Sequence, residues 1–166
     1  VDGVGLAIDV YLPVGTGPRP AVLVRLPYDK NGRYCWMPQI AGHFTARGYA
    51  FHVQDVRGKF RSGGEVNAFV HEIDDGYDTV EWIAHQPWCN GAIGMWGDSY
   101  YGFTQWTAVA SGHPALRAIV PRVTVADLFG WLAGVTPLYG AHYLAQYWSD
   151  ALTHHWTPEW TRRPLS

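Results

Sequence analysis

With 166 residues, 48% of them hydrophobic and 16% charged, the chain can bury one sizeable core and is not a disordered segment. Its net charge of −2 favours neither nucleic acid nor an anionic membrane surface as partner. No apolar run is long enough to span a bilayer. Nine Trp and ten Tyr supply large rings that pack in cores and also line clefts for small organic ligands. The two cysteines, Cys35 and Cys89, lack metal-ligand spacing and read as buried or half-buried thiols. The eight histidines are scattered, so no metal or other cofactor is expected. The chain begins at Val1 without a visible signal peptide. A cytoplasmic location is the expectation, with a processed N-terminus left open.

In chain order, Leu6–Pro13 alternates like a strand and ends at a proline. Gly15 to Pro20 is a loop. Ala21–Pro27 is a nearly continuous apolar run, as in a buried central strand, followed by the polar loop Tyr28–Gly32. Helical spacing covers about Trp36 to Arg47, with Gly48 as the cap. Tyr49–Gln54 is a second buried strand, and Lys59 to Glu65 is a loop. Ile73, Tyr77, Val80, Trp82, Ile83 and Ala84 mark a helix whose first turn carries Glu72, Asp74 and Asp75, as the helix dipole favours. Pro87–Gly91 reads as a turn and Leu116–Val123 as another strand. Strands alternating with helices predict a mostly parallel sheet flanked by helices on both faces, an α/β fold. From Asp127 to Trp160 the chain is aromatic and rich in Gly and His, without a clear strand. It reads as a helical cap over a cleft, which gives domains at 1–125 and 126–166.

Between these strands lies Ala92-Ile93-Gly94-Met95-Trp96-Gly97-Asp98-Ser99-Tyr100-Tyr101-Gly102. An apolar run breaks at Gly97, and helix-compatible residues resume after Gly102. This is the form of a strand, a sharp turn and a helix, with Ser99 at the apex. Small flanking residues let strand and helix approach, and the serine stands near the positive end of the helix. The spacing Gly97-x-Ser99-x-x-Gly102 is one residue longer than the common Gly-x-Ser-x-Gly elbow. On the motif alone, a serine N-cap after a glycine turn is an equal alternative.

Five blocks in order decide between them: Arg25-Leu26-Pro27-Tyr28-Asp29-Lys30, Gln54-Asp55-Val56-Arg57-Gly58, Asp78-Thr79-Val80-Glu81-Trp82-Ile83, Gln86-Pro87-Trp88-Cys89-Asn90-Gly91 and Gly97-Asp98-Ser99-Tyr100-Tyr101-Gly102. To about residue 130 the chain resembles the X-Pro dipeptidyl-peptidase-like (S15-type) acyl hydrolases, the group that includes cocaine esterase, glutaryl acylases and α-amino acid ester hydrolases. The resemblance implies an α/β-hydrolase fold, with the chain covering the N-terminal part of the catalytic domain and the start of a helical lid. It implies Ser99 as the nucleophile of an acyl-enzyme pathway. The Tyr100 backbone N–H and the Tyr28 hydroxyl would then be the oxyanion-hole donors.

A serine nucleophile also needs a base and an orienting carboxylate, in the chain order Ser, Asp or Glu, His. The candidates are poor. His113 reads as a loop residue and His52 as a core histidine. His142, His154 and His155 lack strand-end context. Asp127 reads as an N-cap, and Asp150 and Glu159 match no position of the pattern. The chain is therefore expected to be a piece of a larger hydrolase, with little or no esterase activity alone, and to associate with the remainder of the hydrolase or with a second copy. For substrate, a carboxylate that amino-ester-specific relatives use falls at Ala133, which argues against an amino ester. Trp131 and Trp148, with Tyr139, are candidates for an apolar substrate pocket or for packed lid aromatics. A hydrophobic carboxylic ester is the first expectation. An amide, a β-lactam side chain or an X-Pro peptide is the second, and a catalytically silent association module the third.

Overall fold

The computed structural model describes residues 2–128 and 130. The chain divides into two compact units, Val1–Ala126 and Asp127–Ser166. The first contains β1 (Ile8–Tyr11), β2 (Arg19–Leu26), α1 (Met37–Thr45), β3 (Ala50–Asp55), α2 (Glu72–Ala84), β4 (Cys89–Asp98), α3 (Ser99–Ala110) and β5 (Leu116–Arg122). They build a five-stranded sheet in the order β1-β3-β2-β4-β5. β1 runs antiparallel to β3, while β3, β2, β4 and β5 are mutually parallel.

Two cores follow from the alternation of side chains along β2. Val22, Val24 and Leu26 pack with Phe51 and Val53 of β3 and with Met37 and Ala41 of α1. Ala21 and Leu23 face the other way, toward Ile93 and Met95 of β4, Val80 and Ile83 of α2, and Ala108 of α3. The sheet is therefore sandwiched between α1 and the α2–α3 pair. Burying each such Leu, Ile, Val or Met side chain is worth about 1.5–3 kcal/mol.

Several boundaries differ from the sequence reading. β1 is shorter than Leu6–Pro13. β2 begins at Arg19 rather than Ala21, because Arg19 pairs with Cys89 across a register shift before Ala21. That pairing also draws Cys89-Asn90-Gly91, a turn by composition, into the start of β4. Nor does β4 break at Gly97: it continues to Asp98, and α3 begins at the next residue. α1 ends at Thr45, and Gly48 lies beyond its cap in the left-handed region with φ +83°. Both cysteines are free and buried.

In the second unit, Asp127 Oδ1 accepts a hydrogen bond from the Gly130 N–H at 2.9 Å, the geometry of an N-cap. Trp131, Tyr139, His142, Trp148, Asp150, His154, His155 and Glu159 lie outside the described residues. Among the described residues no helix is long and apolar enough to cross a membrane.

Candidate active site

Parallel strands end at one edge of a sheet, and the loops leaving their carboxyl ends meet there. β2 leads through Leu26 and Pro27 to Tyr28, while β4 leads through Asp98 directly to Ser99.

Ser99 has φ +52°, in the left-handed region. For a residue with a side chain this costs about 1–3 kcal/mol, so it persists only where the surroundings enforce it. Two glycines are part of that enforcement. A Cβ on Gly97, itself at φ +143°, would clash with the edge of the Tyr101 ring, 2.0 Å from its Cδ2. A Cβ on Gly102 would come within 2.9 Å of the Arg122 carbonyl oxygen and 2.8 Å of Thr124 Cγ2. The longer spacing of the motif thus has a physical origin, since the second glycine lies where α3 crosses the end of β5. Gln105 fastens the same crossing. Its Nε2 donates to the Gly97 carbonyl at 3.1 Å, and its Oε1 accepts the Val120 N–H at 2.9 Å.

The Tyr28 hydroxyl lies within reach of the Ser99 side chain and the Tyr100 backbone N–H, both of which pull its pKa down. Burial pushes the Tyr28 pKa up to about 12, against the opposing pull of those two contacts. Tyr28 is therefore a protonated phenol at neutral pH, able to donate. Its ring packs edge-on to Tyr34 at 5.9 Å and to Tyr101 at 6.1 Å. The neighbouring Cys35 is buried, and burial pushes its thiol up to about 12, chiefly before the carboxylate of Asp29. It is a poor nucleophile beside Ser99.

Tyr100 contributes to this point only through its backbone. Its side chain turns inward, and its hydroxyl donates to Glu72 Oε1 at 2.7 Å and accepts the Phe69 N–H at 3.0 Å. Glu72 pairs with Arg25 Nη1 at 2.9 Å, and Arg25 is fully buried in β2. Sequence reasoning missed this network. By sequence, Arg25 falls within an apolar run and Glu72 reads as a helix-dipole charge. The available signal was a guanidinium amid buried apolar residues, which must be paired.

The two described histidines weighed as bases are committed elsewhere. His52 is buried in β3 and accepts the Trp88 Nε1–H at 3.2 Å, and burial lowers its pKa to about 4. His113 follows α3, at the opposite end from Ser99, about 18 Å along a helix of 12 residues. Its Nε2 meets Glu81 at 2.6 Å and its Nδ1 accepts the Ala115 N–H at 3.1 Å. Among the described residues no group of three or more His, Cys, Asp or Glu is placed to hold a metal ion.

A helix-flanked, mostly parallel sheet with a strained serine between its β4 strand and the next helix defines an α/β-hydrolase. The family described as X-Pro dipeptidyl-peptidase (S15 family) matches residues 2–164. The cocaine esterase of Rhodococcus sp. (strain MB1 Bresler) is 47% identical over 130 residues, which are 77% of this chain and 23% of that protein. Among solved structures, an α-amino acid ester hydrolase superposes with a TM-score of 0.63 at 32% identity, covering 79% of this chain and 24% of that one. A CocE/NonD family hydrolase from Staphylococcus aureus superposes with a TM-score of 0.70 at 28% identity, covering 77% and 26%. The chain belongs to the X-Pro dipeptidyl-peptidase (S15) family. It spans about a quarter of the length of these relatives.

Proposed function

We propose that this chain carries the nucleophile and the oxyanion-binding groups of a serine acyl hydrolase acting on carboxylic esters. The observation that carries the reading is the meeting of the Tyr28 hydroxyl, the Tyr100 N–H and the Ser99 hydroxyl beside a left-handed Ser99. Ser99 Oγ attacks the ester carbonyl carbon, and its proton passes to a base outside the described residues. The carbonyl oxygen becomes an oxyanion that accepts hydrogen bonds from Tyr28 and from the Tyr100 N–H. Collapse of the tetrahedral species expels the alcohol, which takes up the proton and leaves Ser99 acylated. Water attacks the acyl carbon in turn, releasing the acid and restoring the serine.

The esterase activity named for the Rhodococcus relative supports an ester as substrate. A second reading, cleavage of an amide or X-Pro peptide by the same steps, is favoured by the description of the family itself. A third, a silent association module, is favoured by the commitment of His52 and His113 to the core. The test is hydrolysis of p-nitrophenyl butyrate and of an X-Pro p-nitroanilide by the full-length protein and by this chain alone. Ester turnover by the full-length protein, with little or none by this chain, supports the reading. Faster anilide turnover favours the second reading, and no turnover of either by the full-length protein favours the third.

A further inference from the structure

We propose that Glu72 is a positioning residue for the oxyanion site, acting through the Tyr100 hydroxyl. This rests on the acyl-hydrolase reading above and extends it to a group remote from the reacting atoms. The direction of the Tyr100 N–H is set by the peptide plane that joins Ser99 to Tyr100. Ser99 is held left-handed at φ +52°, so that plane needs an anchor on its far side. The Tyr100 side chain supplies one. Its ring stacks on Phe69 with centroids 4.6 Å apart and planes at 25°. Its hydroxyl is held from two directions, by Glu72 Oε1 at 2.7 Å and by the Phe69 N–H at 3.0 Å.

Glu72 is pinned in turn. It is 4% exposed, and its carboxylate lies 2.9 Å from Nη1 of the fully buried Arg25. Arg25 Nη1 also donates to the Glu72 carbonyl at 3.1 Å, and Arg25 Nε donates to Gln54 Oε1 at 2.8 Å. Arg25 stands on β2 three residues before Tyr28, and its own carbonyl accepts from Thr104 Oγ1 of α3 at 3.2 Å. One carboxylate therefore ties together the two segments that deliver the two oxyanion donors: the elbow, through Tyr100, and the end of β2, through Arg25.

The choice of groups supports a role in geometry. A buried ion pair gives little net stability compared with well-packed apolar residues of similar volume, because desolvation offsets the attraction. What the hydrogen bonds of the network add is direction, since each fixes an angle as well as a distance, although Glu72 Oε2 and Arg25 Nη2 are left without a hydrogen bond of their own.

The test uses the full-length protein, with two readouts: steady-state hydrolysis of p-nitrophenyl butyrate, and inhibition by phenylboronic acid, which forms a tetrahedral adduct with an active serine. Tyr100→Phe keeps the ring and removes the hydroxyl. The expected result is a kcat lower by about tenfold or more with KM within about twofold, because small misplacements of a catalytic donor cost rate rather than binding. Boronate affinity is expected to fall by a similar factor. Combined with Tyr28→Phe, the two losses are expected to be less than multiplicative, because both act on one oxyanion. Glu72→Gln, which keeps an acceptor for the hydroxyl, is expected to retain more kcat than Glu72→Ala. If Glu72→Ala does not fold, Tyr100→Phe alone decides. A Tyr100→Phe protein with a lower melting temperature but kcat and boronate affinity within twofold of the parent overturns the proposal. Loss of kcat that is fully multiplicative with Tyr28→Phe does the same. If instead Tyr28→Phe by itself leaves kcat unchanged, the oxyanion assignment underneath is what fails.

Discussion

The Tyr28 hydroxyl meets the Ser99 hydroxyl at the carboxyl edge of the sheet, although 70 residues separate them in sequence. The contact exists because β2 and β4 are parallel neighbours, so the chain segments leaving them emerge side by side. Burial keeps Tyr28 protonated across the neutral range, and the Tyr100 N–H points to the same oxygen. In the proposed reaction, the substrate oxyanion would take over the Tyr100 N–H from the Tyr28 oxygen and accept from both groups.

Removal of the phenolic hydroxyl in Tyr28→Phe is expected to lower kcat of the full-length protein by roughly 10²–10³, with a smaller change in KM. The loss belongs to kcat because the donor acts on charge that develops only in the transition state. Steady-state kinetics on an activated ester check it.

Gly102→Ala is expected to destabilise the fold by about 1–3 kcal/mol, because its Cβ has no room between α3 and the end of β5. The added carbon would lie 2.9 Å from the Arg122 carbonyl oxygen, a backbone atom that cannot swing aside. Gly97→Ala is expected to cost more, since its Cβ would clash with the edge of the Tyr101 ring at a φ of +143°. Urea unfolding followed by tryptophan fluorescence measures both.

Arg25→Met is expected to destabilise by about 3–5 kcal/mol, since the carboxylate of Glu72 would be left buried without its cation. Asp75, 3.9 Å from Arg25 Nη2, suffers less, because Arg57 Nε also donates to it, at 3.0 Å. Pairing Arg25→Met with Glu72→Gln is expected to recover part of the loss. A double-mutant cycle by chemical unfolding checks the coupling.

His52 imposes a pH dependence on stability. Burial lowers its folded pKa to about 4, below the ordinary value of 6.5, so between these values the unfolded chain binds the proton and the folded chain does not. Stability is therefore lost as pH falls from 6.5 toward 4, by up to about 3 kcal/mol from this group. A His52→Gln variant is expected to show a shallower decline over that window in thermal melts at stepped pH.

Much of the architecture was legible in the residues. The apolar runs that became β2 and β3 and the acidic first turn of α2 carry their own period and charge. The elbow and Tyr28 were reached through the order of five short blocks, because neither the stretched glycine spacing nor a lone tyrosine after a strand is specific by itself. The antiparallel pairing of β1 was not legible, since alternation along one strand says nothing of its neighbour's direction. The start of β4 is not legible because Asn90-Gly91 has the composition of a turn, yet pairing with Arg19 draws the segment into the sheet. The Arg25–Glu72–Tyr100 network was hidden for a related reason: its members lie 47 and 28 residues apart, and only the packing of α2 and α3 on β2 brings them together.

The central claim is that Ser99 is the nucleophile, and covalent labelling tests it most directly. The full-length protein would be treated with a fluorophosphonate and digested, and the modified peptide identified by mass spectrometry. The expected result is a single stoichiometric adduct on Ser99, none in a Ser99→Ala variant, and loss of ester hydrolysis in parallel with labelling. An adduct on another residue, or a Ser99→Ala protein that hydrolyses the ester as fast as the parent, would contradict the account.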